Sequence, residues 1–338
     1  MDRRFDIQVL RGVAVLLVVL HHAFPTVVRG GKLGVDVFLV LSGFLIIGLI
    51  LRGLEERRFR FTAFYVRRAR RLLPALAATV AGTTALALLF LGPAELLAYA
   101  KQVVVVAALL ANMIVAHGSL THLWSLSLEE QFYLLAPLLL WLTPGGLRPG
   151  LLALGLGLSL GLYLVLLGWP QGLPIDGGQA WALGYGSLPA RAWQFMAGGL
   201  CAWLMMRRPD LTVPPGIKGL ALAGLLVVAT TGVFYDGARL AGVIVTIATC
   251  VMLLGRDGWL PRRALGPVAW TGDLSYSLYL VHWPLFWFAH HQFGQTLPAG
   301  VILGVFALSV VWAALQYRHV EQRFRLPARN AAPPVAAP

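Results

Sequence analysis

The stretch Leu10-Arg11-Gly12-Val13-Ala14-Val15-Leu16-Leu17-Val18-Val19-Leu20-His21-His22 decides how this chain is read. It belongs to an apolar run of membrane-spanning character, yet it holds a guanidinium near one end and two imidazoles at the other. An arginine inside such a helix costs roughly 2.5 to 3.5 kcal/mol on insertion scales, so it needs a partner, a cavity or a headgroup within reach. Arg11 and His22 stand eleven positions apart, which at about 100° and 1.5 Å per residue puts them within about 20° of each other and about 16 Å apart along the axis. One helix face therefore carries both groups at different depths. Arg11 could equally snorkel to the inner headgroups and His22 could be a satisfied interfacial histidine. His21 points about 100° away and reads as structural.

Working outward, the 338 residues are 58% hydrophobic and 12% charged, where a soluble domain carries roughly 25% charged residues. A mean hydropathy of +0.75 over the whole length excludes both an ordinary soluble enzyme and a soluble domain on a single anchor. The first apolar run has no small-residue cleavage site after it and contains an arginine, so it reads as a retained helix and not as a signal peptide. Cys201 and Cys250 lie in apolar runs without paired-cysteine or metal-ligand spacing, which argues against a disulfide framework or a metal site. Lys and Arg number 27 against 14 acids, a net charge of +13. In a membrane protein such an excess reports orientation and contact with anionic lipids, and nucleic acid is not an expected partner.

Apolar segments at about 7–24, 33–51, 73–92, 125–143, 150–168, 190–206, 217–235, 239–254, 272–291 and 298–318 predict an all-α polytopic membrane helix bundle of about ten transmembrane helices. Segment 52–71 holds arginines at 52, 57, 58, 60, 67, 68, 70 and 71 and should be cytoplasmic, together with the clusters at 207–218, 256–263 and 318–325. Both termini are then cytoplasmic, provided the run 100–116 stays at the outer surface or re-enters; an eleventh crossing is the alternative. The expected organisation is one transmembrane domain over 1–325, a turn-rich outer cap over 169–189, and a disordered Ala/Pro-rich tail over 326–338. The cytoplasmic (inner) membrane is the expected location.

Several constellations could carry chemistry. Asp36 in Gly34-Val-Asp36-Val-Phe38 reflects across the first hairpin to about the depth of His22, where a carboxylate could orient the imidazole; capping its own helix is the plain alternative. Arg67, Arg70 and Arg71 share a helical face at i, i+3 and i+4, a forked donor surface suited to phosphates, whether of a lipid or of a phosphorylated cofactor. In Thr121-His122-Leu-Trp124-Ser125-Leu-Ser127-Leu-Glu129-Glu130-Gln131-Phe-Tyr133, the side chains of Ser125, Glu129 and Tyr133 align at i, i+4 and i+8. Glu129 and His122 are site candidates, although acids near a helix N-terminus need no further reason. His282 lies near the middle of its span with Tyr279 and Ser275 on the same face, and intramembrane ionisable groups are functional by default. No HExxH pattern or clustered histidine spacing argues for a metal.

Taken together, these motifs resemble the acyltransferase 3 family of integral membrane acyltransferases. The resemblance runs over roughly residues 5–325 and rests on Arg11-x10-His22, Gly34 through Ser42-Gly43-Phe44, Arg67-Arg68-Ala-Arg70-Arg71-Leu-Leu-Pro74, His122 through Tyr133, and Ser275-Tyr276-Ser-Leu-Tyr279-Leu-Val-His282-Trp-Pro284. It implies transfer of an acyl group, often acetyl, from cytoplasmic acyl-coenzyme A to a hydroxyl of a sugar, glycan or lipid. Arg11 and His22 match the family's paired essential residues, and the arginine stretch before Pro74 matches a motif tied to activity. Two departures stand out. The family's terminal glutamate is usually followed two residues later by proline, whereas Glu321 precedes Gln322 and Arg323, so Glu321 is given no catalytic role. Some relatives also carry an extracytoplasmic esterase-like domain that this sequence does not reach.

The expectation is therefore that acyl-coenzyme A docks through Arg67, Arg68, Arg70 and Arg71 and threads along the face of Arg11 to His22. His22 acts as base, Asp36 or Glu129 orients it, and His122, Ser125, Tyr133, Tyr279 and His282 receive the acceptor. A covalent acyl-histidine is the variant of this chemistry. A transporter or flippase using the same ionisable groups is the rival class. Trp169, Trp181 and Tyr185 could stack on sugar rings or anchor the interface.

Overall fold

A computed structural model describes residues 4–114, 117–166, 186–233, 239–255 and 257–324, and among these residues there is no β-strand. Eleven long helices are described: α1 (Phe5–Ala23), α2 (Gly34–Glu55), α3 (Phe61–Phe90), α4 (Pro93–Ala107), α5 (Trp124–Leu142), α6 (Arg148–Leu166), α7 (Leu188–Arg207), α8 (Pro215–Thr231), α9 (Arg239–Leu253), α10 (Arg262–Phe293) and α11 (Ala299–Gln316). A π-helical turn, Tyr317–Glu321, and a last turn, Gln322–Phe324, continue α11. Each of the ten apolar segments falls on one of these helices. Two helices start well before their apolar segments: α3 at Phe61 and α10 at Arg262. Hydropathy registers lipid contact, whereas helicity continues wherever backbone hydrogen bonds can, so an arginine-rich turn can still be helix.

Run 100–116 divides between the end of α4 and turns through Ile114. At about 1.5 Å per residue the 15 residues of α4 span about 22 Å, short of a hydrocarbon core of about 30 Å. Five described stretches are long and apolar enough to cross a membrane: Phe5–Ala23, Gly31–Glu55, Phe61–Phe90, Gly145–Leu166 and Ala299–Phe324. The long helices α5, α7 and α10 fall outside that set because they carry the inward polar side chains, among them Glu129, Arg191 and His282. Leucines such as Leu89, Leu138, Leu158, Leu220 and Leu303 are exposed on the outside of the bundle, the reverse of a soluble fold. The chain is a multi-pass membrane protein. Most of the 169–189 cap and all of the 326–338 tail lie outside the described residues, as do Trp169, Trp181 and Tyr185.

Two pairs of helices meet backbone to backbone. A Cβ at Gly12 would overlap the Val268 carbonyl and one at Gly272 the Gln8 carbonyl, which locks α1 against α10. A Cβ at Gly43 would overlap the Phe195 carbonyl and one at Gly198 the Val40 carbonyl, which does the same for α2 and α7. Small residues permit this approach, and dispersion over the closely packed surfaces holds it. Contacts climb together along the first pair, from Gln8 with Gly272 to His22 with His282, so α1 and α10 run parallel. Arg4, the residue before α1, makes no side-chain cap. Asp257, from the loop before α10, supplies one instead, accepting from Phe5 N at 2.8 Å and Asp6 N at 3.3 Å.

Candidate active site

A wide vestibule of about 2240 Å³, open to solvent, lies where the start of α1, the end of α2, the start of α3 and the end of α7 come together. Its walls include Arg4, Arg11, Arg52, Arg67, Arg68 and Arg71, and no carboxylate is among the described residues that line it. The apolar remainder, including Phe44, Leu49, Met205 and Met206, gives these cations a low-dielectric backing that strengthens their field on an anion. Arg4 is itself balanced by Asp6 at 2.6 Å. The turn of α3 is the physical surprise. Arg68, Arg71, Leu72 and Ala75 form one inward face at i, i+3, i+4 and i+7, so Arg68 points in and Arg70 is exposed. The i, i+3, i+4 arithmetic selects Arg67, Arg70 and Arg71 instead. It locates a face but not which way that face turns, because the apolar anchors Phe64 and Leu72 set the rotation.

Beyond the vestibule is a smaller inner chamber, lined by side chains of α1, α2, α3, α5 and α10. Arg11, Arg68 and Arg71 line both spaces, so three guanidinium groups stand where they meet. Arg11 donates to Ser275 Oγ at 2.8 Å. Arg68 lies over the Tyr133 ring at 3.8 Å, and its buried Nε has no hydrogen-bond partner. Glu129 faces this group across the chamber, its two oxygens accepting from Ser42 at 3.2 Å and Tyr133 at 3.0 Å. Deeper still, Tyr279 donates to the His122 carbonyl at 2.6 Å, which spends its single proton. Ser125, 2.6 Å from the same phenol oxygen, must therefore donate to it. Ser125, Glu129 and Tyr133, which helical spacing put on one face, thus share one chamber, and Tyr279 of α10 joins them there. Ser42 and Tyr276 also line it and were missed, because a serine beside glycine and a tyrosine beside serine read as packing residues.

Three imidazoles cluster beyond Tyr279. The His282 ring is 5.2 Å from that of His22, 5.6 Å from that of His122 and 5.6 Å from that of Tyr279. Half-buried His22 also faces the indole of Trp283 at 4.6 Å. His22 is not among the chamber's lining residues, whereas Arg11 is. Tyr279, which lines the chamber, is in ring contact with His122 and His282, and His282 in turn with His22, so these side chains stand between the chamber and His22. Among the described residues no group of three His, Cys, Asp or Glu is arranged to hold a metal ion. Pro284 accounts for the position of His122. A proline in a helix cannot bond the carbonyl four residues back, and that carbonyl, Leu280, takes a hydrogen bond from His122 Nε2 at 3.0 Å.

Asp36 lies elsewhere. It is buried against Arg191 at 3.2 Å and accepts from Gln194, both on α7. Its partner is thus a buried guanidinium and not the imidazole of His22. The hairpin reflection misses in depth as well as azimuth: Gly34 packs against the Ala14 carbonyl and Val18, which sets Asp36 well short of His22 along α1, and the Gly43 and Gly198 contacts turn this part of α2 toward α7.

Comparison with known proteins agrees with the motifs. A family model described as an acyltransferase domain matches residues 4–318, so the chain belongs to the acyltransferase 3 family. It is 32% identical over 351 residues to a putative membrane-bound transacylase, BcsY, of Komagataeibacter xylinus, covering 99% of this chain and 86% of that protein. A putative O-acetyltransferase of Staphylococcus aureus (strain COL) is 28% identical, covering 94% of this chain and 56% of the relative. The peptidoglycan O-acetyltransferase OatA of Listeria monocytogenes is 27% identical, covering 95% of this chain and 55% of the relative. The chain therefore spans about half the length of the staphylococcal and listerial relatives. No solved structure matches it. By family, this protein is an acyltransferase, with relatives named for O-acetyl transfer.

Proposed function

We propose that this protein transfers an acyl group, acetyl first among the candidates, from cytoplasmic acyl-coenzyme A to a hydroxyl of a sugar, glycan or lipid, and that it does so within the inner membrane through ten spans with both termini cytoplasmic. The parallel run of α1 and α10 supports that count, since the two helices then share a direction only if α4 does not cross. One observation carries the donor assignment: an arginine-walled vestibule meets, at Arg11, Arg68 and Arg71, a smaller chamber whose remaining lining is apolar or hydroxylated apart from Glu129. That shape suits a ligand with an anionic head and a long uncharged arm. Phosphates bind at Arg67, Arg68 and Arg71, and the pantetheine arm passes Glu129 and Tyr133 toward Tyr279.

The thioester passes Phe38 and Tyr279 to reach His22. His22 takes the proton of the acceptor hydroxyl, the oxygen bonds to the thioester carbonyl carbon, and the carbon–sulfur bond breaks. Coenzyme A thiolate leaves and recovers the proton from His22. General-base help of this kind is worth about 10² to 10⁴-fold. Glycan acceptors are favoured because one relative is named for peptidoglycan. In membranes carrying the protein, His22→Ala should lower transfer of labelled acetyl from acetyl-coenzyme A by at least about 100-fold at unchanged protein abundance. Retained transfer removes His22 from the mechanism. Free thiol released in step with acetyl incorporation separates this chemistry from transport, which releases none.

A further inference from the structure

A base at His22 raises two questions: which ring nitrogen acts, and what holds the ring. The cluster around His282 answers both. His282 Nδ1 lies 2.7 Å from the Tyr279 carbonyl and 3.1 Å from the Leu278 carbonyl. Carbonyl oxygens only accept, so Nδ1 carries the proton. A second proton on the ring would place a charge in a fully buried site where no carboxylate is among its contacts, which is costly. Neutral His282 therefore presents a bare lone pair at Nε2, and the nearest polar atom to it is His22 Nδ1 at 3.2 Å. That contact is a hydrogen bond only if His22 Nδ1 is the donor. His22 is then held as the Nδ1-protonated tautomer, with its Nε2 lone pair on the opposite edge of the ring.

We propose, on the reading of His22 as base, that His282 is the positioning residue for His22: anchored by the two carbonyls of its own helix, it fixes the tautomer and orientation of the base and makes His22 Nε2 the atom that accepts the acceptor's proton. This replaces the substrate-contacting role expected for His282 from the sequence. A buried carboxylate often does this work beside a histidine. Here, of the two carboxylates the sequence offered, Asp36 is occupied by Arg191 and Glu129 by Ser42 and Tyr133, and a neutral imidazole stands in their place. The local cause is legible in α10: the Tyr279 and Leu278 carbonyls lie three and four residues before His282, within reach of its Nδ1 on the same helix.

The test compares His282→Gln, whose side-chain oxygen can still accept from His22 Nδ1, with His282→Leu, which cannot. The assay uses membranes carrying full-length protein, labelled acetyl-coenzyme A as donor and the membranes' own hydroxylated components as acceptor, with rate read at saturation and KM for the donor. His282→Leu should lower the saturated rate by at least about 100-fold, as wrong-tautomer histidines do, with donor KM within about twofold of wild type. His282→Gln should recover at least about a tenth of wild-type rate. Full activity in His282→Leu, with His22→Ala inactive, overturns the positioning role alone; activity in His22→Ala overturns the reading beneath it. Equal loss in both His282 variants also overturns the proposal. Independently of any His282 variant, ¹⁵N spectra of ring-labelled protein in detergent, wild type minus His22→Ala, should show His22 protonated at Nδ1. Protonation at Nε2 refutes it even if His282→Leu fails to accumulate.

Discussion

The two ends of the α1 face are built on opposite principles. At the Arg11 end the cavity is wide and positively charged, and it includes a buried guanidinium nitrogen without a hydrogen-bond partner. At the His22 end the neighbouring rings are held by backbone carbonyls: His122 by Leu280, His282 by Tyr279 and Leu278, His21 by Val28. The first end is arranged to attract an anion, and the second to keep a few atoms from moving. Binding a large anionic donor needs long-range field and tolerates loose geometry. Proton transfer needs a fixed lone pair, and no field substitutes for it.

That contrast can be broken most forcefully at Asp36. If it serves packing and not the base, Asp36→Ala leaves Arg191 buried without its carboxylate at a cost of about 3 to 5 kcal/mol. Protein abundance in membranes should then fall, while rate per folded molecule should change less than about threefold; a rate loss like that of His22→Ala at normal abundance would return Asp36 to the chemistry. Next in size, Arg68→Ala should raise the donor KM about 10- to 100-fold, in keeping with charged hydrogen bonds worth about 1.5 to 3 kcal/mol. Steady-state kinetics checks this, and Arg70→Ala should shift KM by less than about threefold. Equal effects at both positions would mean that the inward turn of α3 does not matter.

A smaller effect separates both ends from the scaffold. Asp257→Ala removes the remote cap of α1 and should cost about 1 kcal/mol, read as a fall of a few degrees in thermal unfolding with transfer at 25 °C intact. Partial burial works against the Asp257 carboxylate, yet the N–H groups of Phe5, Gly258 and Asp6, with Arg262, hold its carboxyl below the usual carboxylate range. A folded value below the unfolded one stabilises the fold at neutral pH, and that contribution is lost as pH falls past about 4. The variant's unfolding temperature should therefore approach that of wild type in acid; a gap independent of pH argues against the cap.

Much of the architecture is legible in the amino-acid sequence. Segment positions follow from hydropathy because lipid contact is a local property of about 20 residues. The alignment of Ser125, Glu129 and Tyr133 follows from helical period, which survives any rotation of the helix as a whole. Three readings needed more. Asp36 meets Arg191 across 155 positions of sequence, Arg68 rather than Arg70 faces inward because α3 is turned by its packing, and His282 meets His22 because Gly12 and Gly272 let two distant helices touch.

The residues alone determined that the chain lives in lipid, where its helices run, which side chains share a helix face, and which family it joins, since all of these depend on composition, period and motif. Only the tertiary structure decided which faces meet: that three arginines mark the entrance to the chamber, that Asp36 turns away from the base, and that an imidazole takes up the position beside it. Helix rotation is set by the packing of backbones at a few glycines, a property of pairs of helices that no single segment encodes.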